Sequence, residues 1–257
     1  MFPILLKIGP VAISSYGILA ALGFILGLIW VVRQAKKDGL SSEAIADLSF
    51  YLALSGVIGA RIFYLLISWD SYASSFLDIF KIWQGGLVFY GGLATAVVVF
   101  IIYTRRKGMP LWETADLFAP GLALAQGVGR LGCFAAGCCY GRPSNLPWAV
   151  TFSHPQSLAF PQGVPLHPAQ LYSAFSLFGL FGLLILLKKR RVFAGQIFFT
   201  YALLHGLIRF VLEYFRSDFR GAGPFGILTS TQAAALLIVI ISPIMLVYLY
   251  QKHRAPA

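Results

Sequence analysis

Seven apolar runs punctuate the chain, at about 11–32, 46–68, 85–103, 115–134, 168–187, 196–215 and 231–250. Each is long enough, or nearly so, to cross a hydrocarbon core roughly 30 Å thick as a helix. The fourth run is the most polar. Asp116, Pro120, Gln126 and Arg130 interrupt it, so it is predicted to face protein rather than lipid. Two connections differ from plain loops. Residues 69–84 set Phe76, Ile79, Phe80, Ile82 and Trp83 among Asp78 and Lys81, a pattern for a short amphipathic helix in the membrane interface. Residues 135–166 hold Pro143, Pro147, Pro155, Pro161 and Pro165, a long irregular connection of the kind that more often carries function than idles.

Composition supports a membrane solvent. Hydrophobic residues make up 58% of the 257 positions and charged residues 11%, where a soluble domain carries about a quarter charged. The expected fold is therefore all-α: a single polytopic domain over residues 1–257 with seven transmembrane helices. The first run is too long for a signal-peptide apolar region, and no small-residue cleavage site follows it.

The net charge of +11 raises nucleic acid, anionic lipid or topology as explanations. Position decides among them. Arg33, Lys36 and Lys37 follow run one; Arg105, Arg106 and Lys107 follow run three; Lys188, Lys189, Arg190 and Arg191 follow run five; Lys252 and Arg254 follow run seven. These 12 of 20 basic residues lie on one side of a seven-span topology. The positive-inside rule then puts the N-terminus outside (periplasmic) and the C-terminus in the cytoplasm, with 69–84, 135–167 and 216–230 as periplasmic loops forming a small head. No basic patch interleaves with aromatics on a polar domain, so no nucleic-acid partner is expected.

Three further arginines, Arg61, Arg130 and Arg209, fall inside apolar runs, each toward the outer end by this topology. One intramembrane arginine costs on the order of 2.5–3.5 kcal/mol on insertion scales. A single one can snorkel to the headgroups. Three at one depth, with only Glu213 within a span at that level to neutralise them, ask for an anionic ligand, and guanidinium matches phosphate. His205 lies one turn before Arg209, and Glu213 one turn after it. Tyr16, Tyr90, His167 and Gln170 reach the same level. The two tyrosines also suit an interfacial belt, and His167 before Pro168 also suits a helix start. The cysteines, Cys133, Cys138 and Cys139, form no CxxC pair and read as small residues packed near a helix end. Residues alone reach a cationic site for an anionic phospholipid, with His and Tyr groups for proton work, and no further.

Gly129-Arg130-Leu131-Gly132-Cys133-Phe134, with Gly137 and Tyr140-Gly141 after it, resembles the signature of the prolipoprotein diacylglyceryl transferases. Ser15-Tyr16-Gly17, Gly59-Ala60-Arg61, His167-Pro168-Ala169-Gln170-Leu171-Tyr172, and Gly206-Leu207-Ile208-Arg209-Phe210 with Glu213 and Arg216 resemble further blocks of that family, in order along nearly the whole chain. The resemblance implies a seven-helix protein of the bacterial cytoplasmic membrane. It would transfer the diacylglyceryl group of phosphatidylglycerol to the lipobox cysteine of an exported prolipoprotein, making a thioether and releasing glycerol phosphate. It implies no metal and no organic cofactor. Arg130 and Arg209 would stabilise the leaving phosphate, with Glu213 holding Arg209. Arg61, Tyr16, Arg216, Gly132, His167 and Gln170 would form the rest of the lipid site. The chain departs from the family pattern in the proton-transfer groups: histidine and tyrosine stand exchanged, as Tyr90 and His205. His205 is therefore expected as the base and Tyr90 as an orienting hydroxyl. The competing reading from another class is an anionic-lipid or organic-anion transporter, which would need a midplane site reachable from both sides. A bare structural scaffold would leave the three arginines unexplained.

Overall fold

The computed structural model describes residues 2–8, 11–69, 86–217 and 228–254. Among them are seven helices: α1 (Ser15–Lys37), α2 (Ser42–Ile67), α3 (Phe89–Arg106), α4 (Leu111–Ala136), α5 (Ala169–Lys188), α6 (Gln196–Glu213) and α7 (Ser230–Arg254). Every apolar run forms a helix. Five of them, α1, α2, α4, α5 and α7, are long and apolar enough to cross a membrane. The predicted interface helix at 69–84 lies almost wholly outside the described residues.

Four short strands accompany the helices. β1 (Ile4–Ile8) pairs antiparallel with β2 (Val11–Ser14), and β3 (Val150–Thr151) with β4 (Pro165–Leu166). The start of the first apolar run is thus strand, not helix. A four-residue apolar stretch carries no periodicity that separates the two.

The chain divides into two compact units, Met1–Val31 with Ala115–Ala257, and Val32–Thr114. In the first, α4 is central: 56% of its apolar window is buried, against 17–33% for the other four membrane-length helices. That meets the expectation that this polar run faces protein. Its Ala119 and Ala123 pack on Leu180 and Leu184 of α5 and on Ile197 and Tyr201 of α6. Glycines let α1 approach on another side. A Cβ at Gly23 would stand 2.6 Å from the Ala125 carbonyl oxygen, and one at Gly27 2.9 Å from that of Gly121. Small residues of this kind let membrane helices close on each other's backbones.

Asp116 fixes the register of α4 against α6. Its carboxylate is fully buried. It accepts the backbone N–H of Gly195 and that of Phe198, both at 2.8 Å, and Arg191 lies 3.6 Å away. This satisfies donors that α6 leaves unpaired at its N-terminus and places a negative charge at the positive end of the helix.

In the second unit α2 and α3 pack closely. A Cβ on Gly92 would meet the Gly56 carbonyl at 2.6 Å, and the Thr95 hydroxyl donates to the Ser55 carbonyl at 2.9 Å.

The connection between α4 and α5 folds into a small cap on its own core of Phe152, Ala159 and Leu166, which Phe134 and Tyr140 join. The segment after α6 adds to it through a bridge between Gly141 and Arg216.

Candidate active site

Asp116 sets a common starting level for α4 and α6. From there Arg130 is fourteen residues along α4, and Arg209 is thirteen residues beyond Gln196 on α6. At 1.5 Å per residue both rise about 20 Å, so two helices running the same way deliver their arginines at one height. Arg130 and Arg209 line one crevice with His205, Ser173 and the apolar side chains of Leu177, Ile208 and Leu212.

Arg209 is held from behind. Its Nη2 lies 2.8 Å from Glu213 Oε2, both side chains nearly buried at 13% and 5% exposure. Glu213 Oε1 accepts from the Thr229 hydroxyl at 3.0 Å. Thr229 is itself the cap of α7: its hydroxyl accepts the Gln232 N–H and the Gln232 side-chain oxygen accepts the Thr229 N–H, each at 3.1 Å. The start of α7, the acid and the arginine therefore form one chain of contacts. Sequence reasoning missed Thr229, although Thr229-Ser230-Thr231-Gln232 is a capping-box pattern. It missed Ser173 as well, which stands one turn after Gln170 on α5.

His205 stacks on Tyr201, ring centroids 5.4 Å apart at 27°. The Tyr201 hydroxyl donates to Gln126 Oε1 at 3.1 Å. The imidazole is thus set on a fixed aromatic platform. Its neighbours include the charges of both Arg130 and Arg209.

Other sequence-selected residues lie around the cap. Gly132 is buried, and a Cβ there would meet the Tyr16 backbone at 3.3 Å, so the glycine admits the start of α1. Tyr16 itself is 47% exposed, within electrostatic reach of Arg130 and all three cysteines. Gln170 is fully buried. Its Nε2 donates to the Cys138 carbonyl at 2.8 Å, while its Oε1 has no partner among the described residues. Arg216 is 5% exposed, and its carbonyl accepts from Arg142 Nε at 3.1 Å. His167 is held in the cap: Nδ1 lies 3.2 Å from the Tyr172 hydroxyl, and its ring meets Phe215 edge-on. Hydrogen bonds from the Cys133 and Cys138 thiols, and then the Arg216 guanidinium, draw the Cys139 thiol below the ordinary cysteine range, against the effect of its burial.

Arg61 and Tyr90 belong to the second unit. Arg61 is buried, donates from Nη1 to the Gly86 carbonyl at 3.3 Å and stands over the Tyr64 ring at 5.6 Å. Tyr90 is 46% exposed and meets Phe89 edge-on.

The chain is similar to known proteins over nearly its whole length. The family model for prolipoprotein diacylglyceryl transferase matches residues 3–248. A Finegoldia magna protein named phosphatidylglycerol–prolipoprotein diacylglyceryl transferase is 34% identical over 91% of this chain and 90% of its own. Proteins of the same name from Clostridioides difficile and Trichormus variabilis are 34% and 33% identical, over 94% and 98% of this chain and 93% and 91% of theirs.

Proposed function

The chain belongs to the prolipoprotein diacylglyceryl transferase family, and from that premise we propose that its paired arginines hold the phosphodiester of phosphatidylglycerol while a lipoprotein thiol attacks. The chain is a transferase acting in the first step of lipoprotein maturation. The acceptor is the lipobox cysteine of an exported prolipoprotein, and the reaction runs at the outer face of the bacterial cytoplasmic membrane.

The observation that carries this reading is the shared crevice of Arg130, Arg209 and His205. The thiolate attacks the glycerol carbon bonded to the phosphate oxygen. A sulfur–carbon bond forms, the carbon–oxygen bond breaks, and its electron pair goes to glycerol phosphate. Negative charge on the phosphate grows from one toward two in that step. Two guanidiniums fixed beside it therefore bind the transition state more tightly than the diester. Glu213 keeps Arg209 extended and oriented without touching substrate. Apolar Leu177, Ile208 and Leu212 exclude water from the crevice, which strengthens each charge interaction.

A free thiol, with pKa about 8.5, is mostly protonated at neutral pH, so a base must take its proton. His205 has the position for that role, beside two arginines. Gln170 offers an unpaired acceptor oxygen for a glycerol hydroxyl. Tyr16, within electrostatic reach of Arg130, helps seat the headgroup. For Arg61 and Tyr90 the roles proposed are those the family resemblance implies, a headgroup contact and an orienting hydroxyl.

The direct test is to incubate the purified protein with phosphatidylglycerol and a lipobox peptide and to look by mass spectrometry for a thioether-linked diacylglyceryl adduct. Phospholipid movement between leaflets without any adduct would replace this reading with the transporter.

A further inference from the structure

Cys133, Cys138 and Cys139, read from the sequence as small residues packed near a helix end, come together in the structure. Their sulfur atoms all lie within 4.8 Å of one another. Cys133 is on the last turn of α4, and the other two stand on the turn that follows. Two left-handed residues fold the chain back: Gly137 at φ +79° and Cys139 at φ +60°. Glycine suits that conformation and cysteine does not, so the thiol is presented from a strained position. Gln170 pins the turn through the Cys138 carbonyl. Cys133 is buried, and Cys138 and Cys139 are partly exposed.

A disulfide uses this geometry poorly. Any pairing leaves one thiol over. Neighbouring residues such as Cys138 and Cys139 have Cα atoms about 3.8 Å apart, shorter than the roughly 4.4–6.8 Å a disulfide usually spans. Three sulfurs at 2.3 Å from a common ion would stand roughly 3.8 Å apart, which small side-chain rotations reach from the observed spread. Three thiolates and a divalent ion carry one net negative charge. Arg216 beside Cys139 and Arg130 one turn before Cys133 offset it.

We propose that Cys133, Cys138 and Cys139 form a three-thiolate site for a zinc-class divalent cation, with its fourth position open to an external thiol. An all-sulfur set favours such borderline-soft ions, and three protein ligands with one open position is the arrangement of reactive rather than structural zinc. Resting on the transferase reading, the external thiol is the acceptor cysteine. Coordination would hold that sulfur as the thiolate that the transfer needs, with Arg130 one turn before Cys133.

The experiment is elemental analysis of the purified full chain, followed by removal of metal and titration with cobalt(II). About one zinc per chain is expected. The cobalt form should show sulfur-to-cobalt charge-transfer absorption that shifts when a lipobox peptide is added and stays put with its Cys-to-Ser counterpart. Cys139→Gly removes a ligand while suiting the left-handed backbone, so it should fold and yet lose metal at least tenfold, as should Cys133→Ser. Protein that takes up neither zinc nor cobalt overturns the site, as does a Cys133–Cys138 disulfide in peptide maps, or full metal binding by Cys139→Gly. A bound cobalt ion blind to the peptide thiol overturns the open position. Zinc-loaded protein that shifts with peptide but forms no lipid adduct overturns the transferase reading and leaves the metal site standing.

Discussion

At the scale of single residues the crevice makes unequal demands on its members. Arg130 and Arg209 must match a phosphate as it gains charge, and a lysine supplies charge without the planar fork. Arg209→Lys and Arg130→Lys are expected to lower kcat by about 10²–10³-fold, the usual effect of losing one transition-state donor. The chains should still fold, and single-turnover adduct formation measures the loss. His205 and Tyr90 separate by the same assay. If His205 is the base, His205→Phe should abolish most turnover at neutral pH and recover part of it as pH rises and the thiol ionises unaided. Tyr90→Phe should retain the wild-type pH profile with a raised KM. A fully active His205→Phe would end the assignment. That Arg130, Arg209 and His205 come together in one crevice was legible in the sequence, because charged groups within apolar runs stand out. The cysteine turn was not, because the left-handed backbone at Cys139 that gathers three sulfurs has no signature in residue order.

Helix ends carry the site at the scale of elements. Thr229 caps α7 and holds Glu213, which holds Arg209. Thr229→Val keeps the volume and loses both hydrogen bonds. It should cost about 1 kcal/mol of stability for the cap and also lower kcat, since Glu213 loses a partner. Thr229→Ser should restore both, and melting in detergent beside the adduct assay reads the pair. Asp116 works at the opposite end of α6. Asp116→Ala leaves buried N–H groups of Gly195 and Phe198 without an acceptor, at about 1–3 kcal/mol each way such groups are counted. Because the register of α4 and α6 starts there, the adduct rate should fall even at temperatures where the variant is fully folded. Among the described residues hydropathy revealed every helix, since a long apolar run has few alternatives. It did not reveal the Ile4–Ser14 hairpin or the cap strands, whose pairing depends on partners outside the local pattern.

For the whole molecule, charge and register together predict which face of the membrane the crevice meets. The basic clusters Arg33–Lys37, Arg105–Lys107, Lys188–Arg191 and Lys252–Arg254 all fall at helix ends. Arg191 lies against Asp116, at the end of α4 from which Arg130 is about 20 Å distant. If Arg191 is cytoplasmic, a rise of that size carries Arg130 and Arg209 two thirds of the way through a roughly 30 Å core, into the outer leaflet. Reporter fusions within 107–110, within 189–195 and after 254 should then report the cytoplasm, and fusions within 144–148 or 162–164 the exterior. Replacing Arg105, Arg106 and Lys107 together should leave that pattern intact, because nine basic residues in the other clusters still hold the same side. Fusions reading the reverse would put the two arginines in the inner leaflet, where an exported prolipoprotein cysteine does not arrive, and the lipid-to-thiol transfer assigned to this crevice could not take place there.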